Sequence, residues 1–497
     1  MPPAVVVAPG SPTSSEGTLH DGDVMEKCHT KDMEALDLNS PAESTPASVD
    51  LESQTTPQIK PKRFASARYA ILNLYRRLFT IVFFANIAVF VYVMTTKQTL
   101  LALVNATAAN LLACGLARQP LVVNAIFRIV CSMPRSAPLP LRRVAAKVYH
   151  YGGVHSGCGV VSLLWYLGFV GVLSNQYWNP SSASPQYIKS AVSVVLSYII
   201  LVLLLAIVVV AHPAVRMKRH DYFELTHRFS GWLIVALFFA LLMTVSREAS
   251  QSQHEPLGKF LLSLPAFWFL LITILAIIQP WIMLRKVAVR AEPLSTHATR
   301  LHFDHAITTF GKGTQLAKHP LRDWHGFATF PDPTPSAVHG TPSFSCLISK
   351  AGDWTADTIQ NPPTHLWKRG VLIYGFAYAM RVFRRVIVVT TGSGIGPCLS
   401  FLGDDNRPAL RVLWQTRAPL KTYGEGVMDL VRKMDSDPII LDTDQCGRID
   451  MVPIILQQIK DFDAEAVCVI SNPVLTGRIV YELEARGTPA FGPIFDS

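Results

Sequence analysis

The sequence predicts three parts in series: an α-helical membrane bundle of about six spans, a small cytosolic antiparallel β-barrel, and a parallel α/β domain. Long apolar segments recur between residues 78 and 284. After Arg285, short β-branched runs alternate with Pro, Gly and Asp, as strands in a small barrel do. The apolar run Arg385–Thr391 then ends in Gly392-Ser393-Gly394-Ile395-Gly396-Pro397, and strand-like and helical patterns alternate from there on. With 50% hydrophobic and only 16% charged residues, and a mean hydropathy of +0.29, the chain reads as a membrane protein with a sizeable soluble portion.

Residues 1–60 are rich in Ser, Thr, Pro, Asp and Glu and lack a long apolar core. They are expected to be a disordered cytosolic tail rather than a signal peptide. The membrane domain is placed at residues 68–285. Its expected spans are approximately Leu78–Thr95, Leu100–Ala117, Cys158–Ser174, Ala191–Ala211, Phe229–Ser246 and Leu264–Leu284, each near the ~20 residues that cross a bilayer. Asn105 and Asn110 make the second the weakest. Leu121–Met133 is too short to span and reads as a re-entrant or interfacial piece. Lys and Arg gather before the first span, between the second and third, and between the fourth and fifth. The positive-inside rule then puts both termini in the cytosol. The net charge of +10 is assigned to this topology, so the expected partner is the lipid bilayer and not nucleic acid. The eight cysteines show no CxxC spacing, and neither zinc nor a disulfide framework is indicated.

Electrons cross bilayers on haems held by facing histidines. His150, His155, His212, His220 and His227 all fall at the cytosolic ends of spans. An 18-residue span is ~27 Å long, so the outer half has no imidazole ligand. Two readings stand: one cytosolic-side haem, from His155 with His212 or His227, or interfacial histidines bonded to loops and headgroups. The second is favoured. Small residues in Tyr149-His150-Tyr151-Gly152-Gly153-Val154-His155-Ser156-Gly157 permit close approach of a helix or a cofactor.

The barrel, residues 286–382, is expected to use strands near Val287–Val289, Thr299–Phe303, Phe344–Ile348 and Val371–Tyr374. The α/β domain, residues 383–497, is expected to use Arg385–Thr390, Leu410–Trp414, Pro438–Leu441 and Ala466–Ile470. Small residues at 392, 394 and 396 let the backbone approach a pyrophosphate, and a following helix aims its N–H groups at that anion. Trp324-His325-Gly326-Phe327-Ala328-Thr329 is strand-like and either lines a flavin ring or packs the barrel. Gly352-Asp353-Trp354-Thr355 reads as a turn entering a helix that Thr355 caps, where a pyrophosphate would sit. A GxG turn alone is weak evidence. The order of the motifs, ahead of a strand and glycine loop, is stronger.

On these residues the soluble half resembles the ferredoxin-reductase-type flavoproteins, in the membrane branch of ferric reductases and NADPH oxidases. His325-Gly326-Phe327-Ala328 partly matches that branch's His-Pro-Phe-Thr/Ser motif. From about Arg68 onward the chain looks similar to the fungal TmpA-type integral membrane proteins. That likeness rests on Tyr75-Arg76-Arg77-Leu78-Phe79, His155-Ser156-Gly157, Thr226–Trp232, Trp324-His325, Thr391–Pro397 and the ending Gly492–Ser497. The resemblance implies FAD in the barrel, NAD(P)H in the α/β domain, and a role linked to fungal development such as asexual sporulation. It implies that His325, Phe327 and Thr329 meet the flavin and that Gly352, Asp353, Trp354 and Thr355 hold its pyrophosphate. Thr391, Gly392, Gly394, Gly396 and Pro397 would hold the nicotinamide dinucleotide, and Phe495 would stack on the flavin. Arg417 either meets a ribose or 2′-phosphate or is a solvated loop arginine. The chain departs from the family in three places. It lacks two histidine pairs in its spans, Ser471-Asn472-Pro473 stands for a Cys-Gly-Pro, and Lys350 stands for an Arg before the GDWT turn.

Overall fold

The computed structural model describes residues 73–96, 99–179, 190–332 and 343–494. The expected tail and Phe495 lie outside them. The helical half consists of α1 (Leu74–Thr96), α2 (Leu100–Leu116), α3 (Pro120–Cys131), α4 (Leu139–Ala145), α5 (Gly152–Trp178), α6 (Ala191–Ala211), α7 (Pro213–Lys218), α8 (His220–Ser252), α9 (Leu257–Ser263) and α10 (Pro265–Ile282). Among the described residues, five helices are long and apolar enough to cross a membrane. The bent pair α2 and α3, which meet at 71°, would make six. The break at residues 117–119 turns α3 aside, and Pro120 opens it with the Gln119 side chain accepting from the Leu121 and Val122 N–H groups.

Side chains that weaken α2 as an isolated span are satisfied by its neighbours. Asn110 donates to Asn86 Oδ1 at 2.9 Å, which also accepts from Trp165 Nε1 at 2.9 Å. Asn105 Oδ1 accepts from the Ala266 N–H at the start of α10, at 2.9 Å. Such bonds hold apolar helices together where burial of apolar area does not discriminate. Gly153 and Gly157 let α5 lie against α1: a Cβ on Gly153 would overlap the Tyr75 carbonyl, and one on Gly157 would meet Val82 at 3.1 Å. The small residues of this run therefore serve helix approach.

The antiparallel domain holds β1 (Arg285–Ala288), β2 (Arg290–Pro293), β3 (Ala298–Phe303), β4 (Lys312–Ala317), β5 (His325–Ala328), β6 (Phe330–Pro331), β7 (Phe344–Ser349), α11 (Asp353–Gln360), β8 (His365–Lys368) and β9 (Ile373–Tyr374). Among the described residues the expected closed barrel is not found. Strands pair as two sheets, β1-β8-β4-β5 with β9 on β4, and β2-β3-β7-β6. Single-residue breaks at Val289 and Thr329 pass the chain from one sheet to the other. Between them Val287, Leu301, Phe303, Leu316, Phe344 and Ile348 form the core. The second sheet buries a polar knot. The Asp332 carboxylate accepts from Ser345 Oγ at 2.6 Å and lies 2.9 Å from His302 Nδ1, with Arg300 beside it. Burial alone would raise this carboxyl, but the His302 and Ser345 bonds and the Arg300 charge hold it down at about 2.

The α/β domain follows: β10 (Arg385–Thr391), α12 (Ile395–Cys398), β11 (Ala409–Thr416), α13 (Pro419–Met434), β12 (Ile439–Asp442), α14 (Thr443–Cys446), α15 (Met451–Asp461), β13 (Ala466–Ile470), α16 (Pro473–Ala485) and β14 (Ala490–Phe491). All its strand pairs are parallel, in the order β12-β11-β10-β13-β14. Continuous apolar runs such as Val386–Val389 and Ala466–Val469 are buried on both faces, as a helix-covered parallel sheet requires.

The antiparallel and α/β domains sit on α3, α4 and α10. The Asn124 side chain pairs with the edge of β9, donating to Leu372 O at 2.9 Å and accepting from Tyr374 N–H at 2.8 Å. Arg142 of α4 makes a bidentate bridge to Glu465, at 2.6 and 2.8 Å. The Gly370 N–H donates to the Pro280 carbonyl at 3.0 Å, one of the last four of α10, which lack intrahelical donors.

Candidate functional site

In the order β12-β11-β10-β13-β14 the winding reverses between β10 and β13, so a crevice opens at their carboxyl ends. The glycine loop leaves β10 there. Thr390 Oγ1 donates to the Ile470 carbonyl at 2.8 Å, and the Thr391 and Ser471 hydroxyls are hydrogen-bonded. Gly392 has φ +48°, a left-handed conformation, and its carbonyl accepts from Trp414 Nε1 at 3.0 Å. Gly394 lies so close to β13 that a Cβ would overlap the Ile470 carbonyl and the Thr390 hydroxyl. Gly396 faces the antiparallel domain, where a Cβ would lie 3.2 Å from Leu347 Cβ. Burial pushes the Cys398 thiol up to about 12, so it stays protonated and donates to the Gly394 carbonyl at 3.2 Å.

The helix expected after this loop is broken into short turns: 3-10 at Gly392–Gly394, α12, and 3-10 again at Leu399–Gly403. Three glycines and Pro397 within six residues are poor helix formers. Gly403 packs onto the Phe310 backbone, which fixes where the run ends.

The antiparallel domain supplies the facing wall. On β5, the His325 ring lies 4.6 Å and the Phe327 ring 5.5 Å from the Trp354 ring. His325 Nε2 is 2.9 Å from Asp323. Among the described residues the buried Trp354 Nε1 has no partner, an orphan that invites an acceptor. Thr355 does not stand at the N-cap, where Gly352 is. From the third helical position its hydroxyl accepts from the Ala351 and Gly352 N–H groups at 2.8 and 2.9 Å, half of a capping box. Asp353 opens the helix, and space around Gly352 and Gly326 is open to 4 Å.

Between the two walls is a cavity of about 390 Å³, within the size range of small-molecule sites. Lys312, Gly326, Phe327 and Tyr374 line it from the antiparallel domain, Pro397 and Ile470 from the α/β domain, and Arg118 and Tyr151 from the helical half. A planar ring beside Phe327 with an anionic tail toward open backbone fits this donor set. Lys312 Nζ lies 5.1 Å above the Tyr374 ring.

Of the expected site residues the cavity brings together Phe327 and Pro397; Gly392, Gly394 and Gly396 precede Pro397 on the loop without lining it, and His325 and Trp354 stack beside Phe327. Thr329 is fully buried and donates to the Lys312 carbonyl at 2.9 Å, away from the cavity. Arg417 lies past the carboxyl end of β11 on the loop's side of the sheet and pairs with Asp444 at 2.8 Å. His155 and His227 face each other with ring centroids 6.0 Å apart, and His155 Nδ1 is 2.9 Å from the Cys114 carbonyl. His212 instead accepts from the Ala214 N–H at the start of α7 and is exposed.

Sequence reading missed Arg118, Lys312, Tyr374 and Trp414. Arg118 and Tyr374 come from segments more than 250 residues apart, and no local pattern joins them. Trp414 ends a recognisable strand, so its position beside the loop was the one available signal.

An antiparallel two-sheet domain joined to a doubly wound parallel sheet thus leaves a cleft near the switch point. A family model for the C-terminal domain of Adenylate-forming reductase 03009 matches residues 376–497. Two curated proteins of Coprinopsis cinerea are similar along most of the chain. Adenylate-forming reductase 03009 is 41% identical over 431 residues, 86% of this chain and 41% of that protein. Adenylate-forming reductase 06235 is 39% identical over 449 residues, 90% of this chain and 42% of that protein. The chain spans about two fifths of the length of these curated relatives. Among solved structures, phthalate dioxygenase reductase aligns at 14% identity and TM-score 0.33, over 42% of this chain and 67% of that one. A flavohemoglobin from Malassezia yamatoensis with bound FAD and heme aligns at 10% identity and TM-score 0.36, over 78% of this chain and 98% of that one.

Proposed function

We propose that the chain is a membrane-bound flavoprotein oxidoreductase that takes electrons from NAD(P)H through FAD to an acceptor. The observation that carries this reading is the cavity shared by Phe327 of β5 and Pro397, the last residue of the glycine loop that leaves β10 at the switch point. FAD, when bound, supplies hydride acceptance and release of single electrons. The chain's own residues bind and orient. Phe327 and Gly326 offer a face to a flat ring, and the open backbone at Gly352 admits a pyrophosphate. Gly392 and Gly394 bring backbone to the nicotinamide dinucleotide. Pro397 and Ile470 exclude water between the two.

The apolar helices and the basic loops support insertion in a bilayer with both termini in the cytosol. The resemblance to TmpA-type proteins supports a role in fungal developmental signalling. A second reading is favoured by the curated relatives, whose names join adenylate formation to reduction. In it the chain is a reductase module working beside other enzymes of a metabolite pathway, or a regulatory flavoprotein without transmembrane electron transfer. The His155–His227 pair supports one haem and no more.

The test is the absorption spectrum of the detergent-purified chain before and after anaerobic NADPH. Bleaching of a flavin band supports the oxidoreductase. A haem band that rises with it, and disappears in His155→Ala, supports the single-haem path. Absence of flavin sinks the proposal.

A further inference from the structure

A second cavity, of about 480 Å³, lies outside the site above. It opens where α3 and the loop after it meet the 3-10 segment Phe376–Val382 and the Asn406 loop of the α/β domain. Three guanidinium groups line it, from Arg128, Arg135 and Arg381, together with Tyr378. Arg135 is pinned: its Nε donates to the Arg381 carbonyl at 3.1 Å and its Nη2 to the Asn406 carbonyl at 2.6 Å. Arg381 Nη1 donates to the Tyr378 hydroxyl at 3.2 Å and lies 3.5 Å from Asp404. Among the described residues Asp404 is the one carboxylate paired with any of the three. Burial and the Arg381 charge hold the Arg135 guanidinium below its ordinary value. Arg135 and Arg381 repel each other across this void, a repulsion that an entering anion relieves, and Arg128 sits beside them over the Tyr374 ring; guanidinium matches phosphate geometry.

A second observation says where that anion comes from. Helix α3 has two apolar faces. Val123, Phe127 and Cys131 are buried, with Phe127 against Tyr374 and Tyr378. On the other side Ile129 is 73% exposed, and α4 adds Val144 at 71%. An arginine-bearing helix with an outward apolar side, bent at 71° from the apolar helix before it, suits a bilayer surface, where anionic headgroups are concentrated.

We propose that this cavity binds the phosphate headgroup of an anionic phospholipid through Arg128, Arg135 and Arg381. The site rests on the membrane reading and not on bound flavin. It also touches the redox site, because Tyr378 stacks at 4.0 Å on Tyr374, which lines the other cavity. A headgroup held here stiffens the seat between the helical half and the reductase domains.

The full chain in detergent would be titrated with dioctanoyl phosphatidic acid while its Tm is followed, with dioctanoyl phosphatidylcholine and inorganic phosphate as parallel arms at constant ionic strength. Expected is a saturable rise in Tm with phosphatidic acid alone. Arg381→Gln should weaken the half-saturating concentration at least about tenfold, as two charge-assisted bonds are lost. Arg128→Gln is an exposed change that should keep the fold and show the same loss. An equal rise with inorganic phosphate would make this a soluble-anion site and overturn the lipid assignment. So would an equal rise with phosphatidylcholine, no rise with any arm, or an unchanged response in both variants. Flavin absorbance of the same samples separates the two proposals: a normal lipid response in a flavin-free chain leaves this site standing.

Discussion

Two glycine-led turns, one after β10 and one before α11, differ in what the protein itself asks of them. Gly394 is hemmed by the Ile470 carbonyl and the Thr390 hydroxyl, while Gly352 has nothing within 4 Å of where a Cβ would be. Gly352 also has φ −167°, ordinary extended backbone. The first glycine is demanded by the packing of β10 against β13. Nothing among the described residues demands the second, so its smallness is available to a ligand. A motif glycine can therefore be structural or receptive, and the space around it tells which.

That contrast can be broken by substitution. Gly394→Ala should cost about 3 kcal/mol or prevent folding, because the Ile470 backbone on one side and the Thr390 hydroxyl bonded to it on the other leave no room to relax. Thermal denaturation checks it, and a wild-type Tm would erase the distinction. Acid tests the antiparallel wall separately. Asp332 is held at about 2 against an ordinary 3.8, so its contribution is fully present above pH 3.8 and lost as pH falls through 2. Linkage puts it at about 2 kcal/mol, which Asp332→Asn should remove at neutral pH, leaving a flatter stability profile below pH 4. Gly352→Ala should move stability by less than about 1 kcal/mol and lower flavin affinity about tenfold, roughly 1.4 kcal/mol. Unchanged flavin retention on dialysis would mean the turn receives nothing. Arg417→Ala is expected to be the mildest. Its exposed pair with Asp444 is worth about 0.5 kcal/mol or less. If it meets a 2′-phosphate, the KM for NADPH should rise several-fold while that for NADH holds, and equal changes would remove Arg417 from the site.

The parallel domain was the more legible half. Its strands at 385, 410, 438 and 466 are near-continuous apolar runs, and such runs in alternation with helices have few other arrangements. The antiparallel domain was read strand by strand but closed too readily into a barrel. Breaks of one residue at Val289 and Thr329 carry no composition signal, and whether they divide the sheet depends on pairing across distant segments. The same limit hid Lys312 and Tyr374, which pair across strands sixty residues apart. The glycine loop was found because its residues are adjacent. The helix after it was overdrawn, since Pro397 and the glycines argued against regular helix more strongly than the motif argued for it.

The capped end of α10 has one more consequence. Only Met283 and Leu284 separate that helix from β1, and Gly370 holds its Pro280 carbonyl from within the antiparallel domain. There is no slack here to act as a swivel. If α10 crosses a bilayer as proposed, its tilt and the attitude of the cleft are one mechanical coordinate. Probe pairs on α10 and β8 should then report one fixed separation in thin and thick bilayers alike, and a separation that varies would show a hinge.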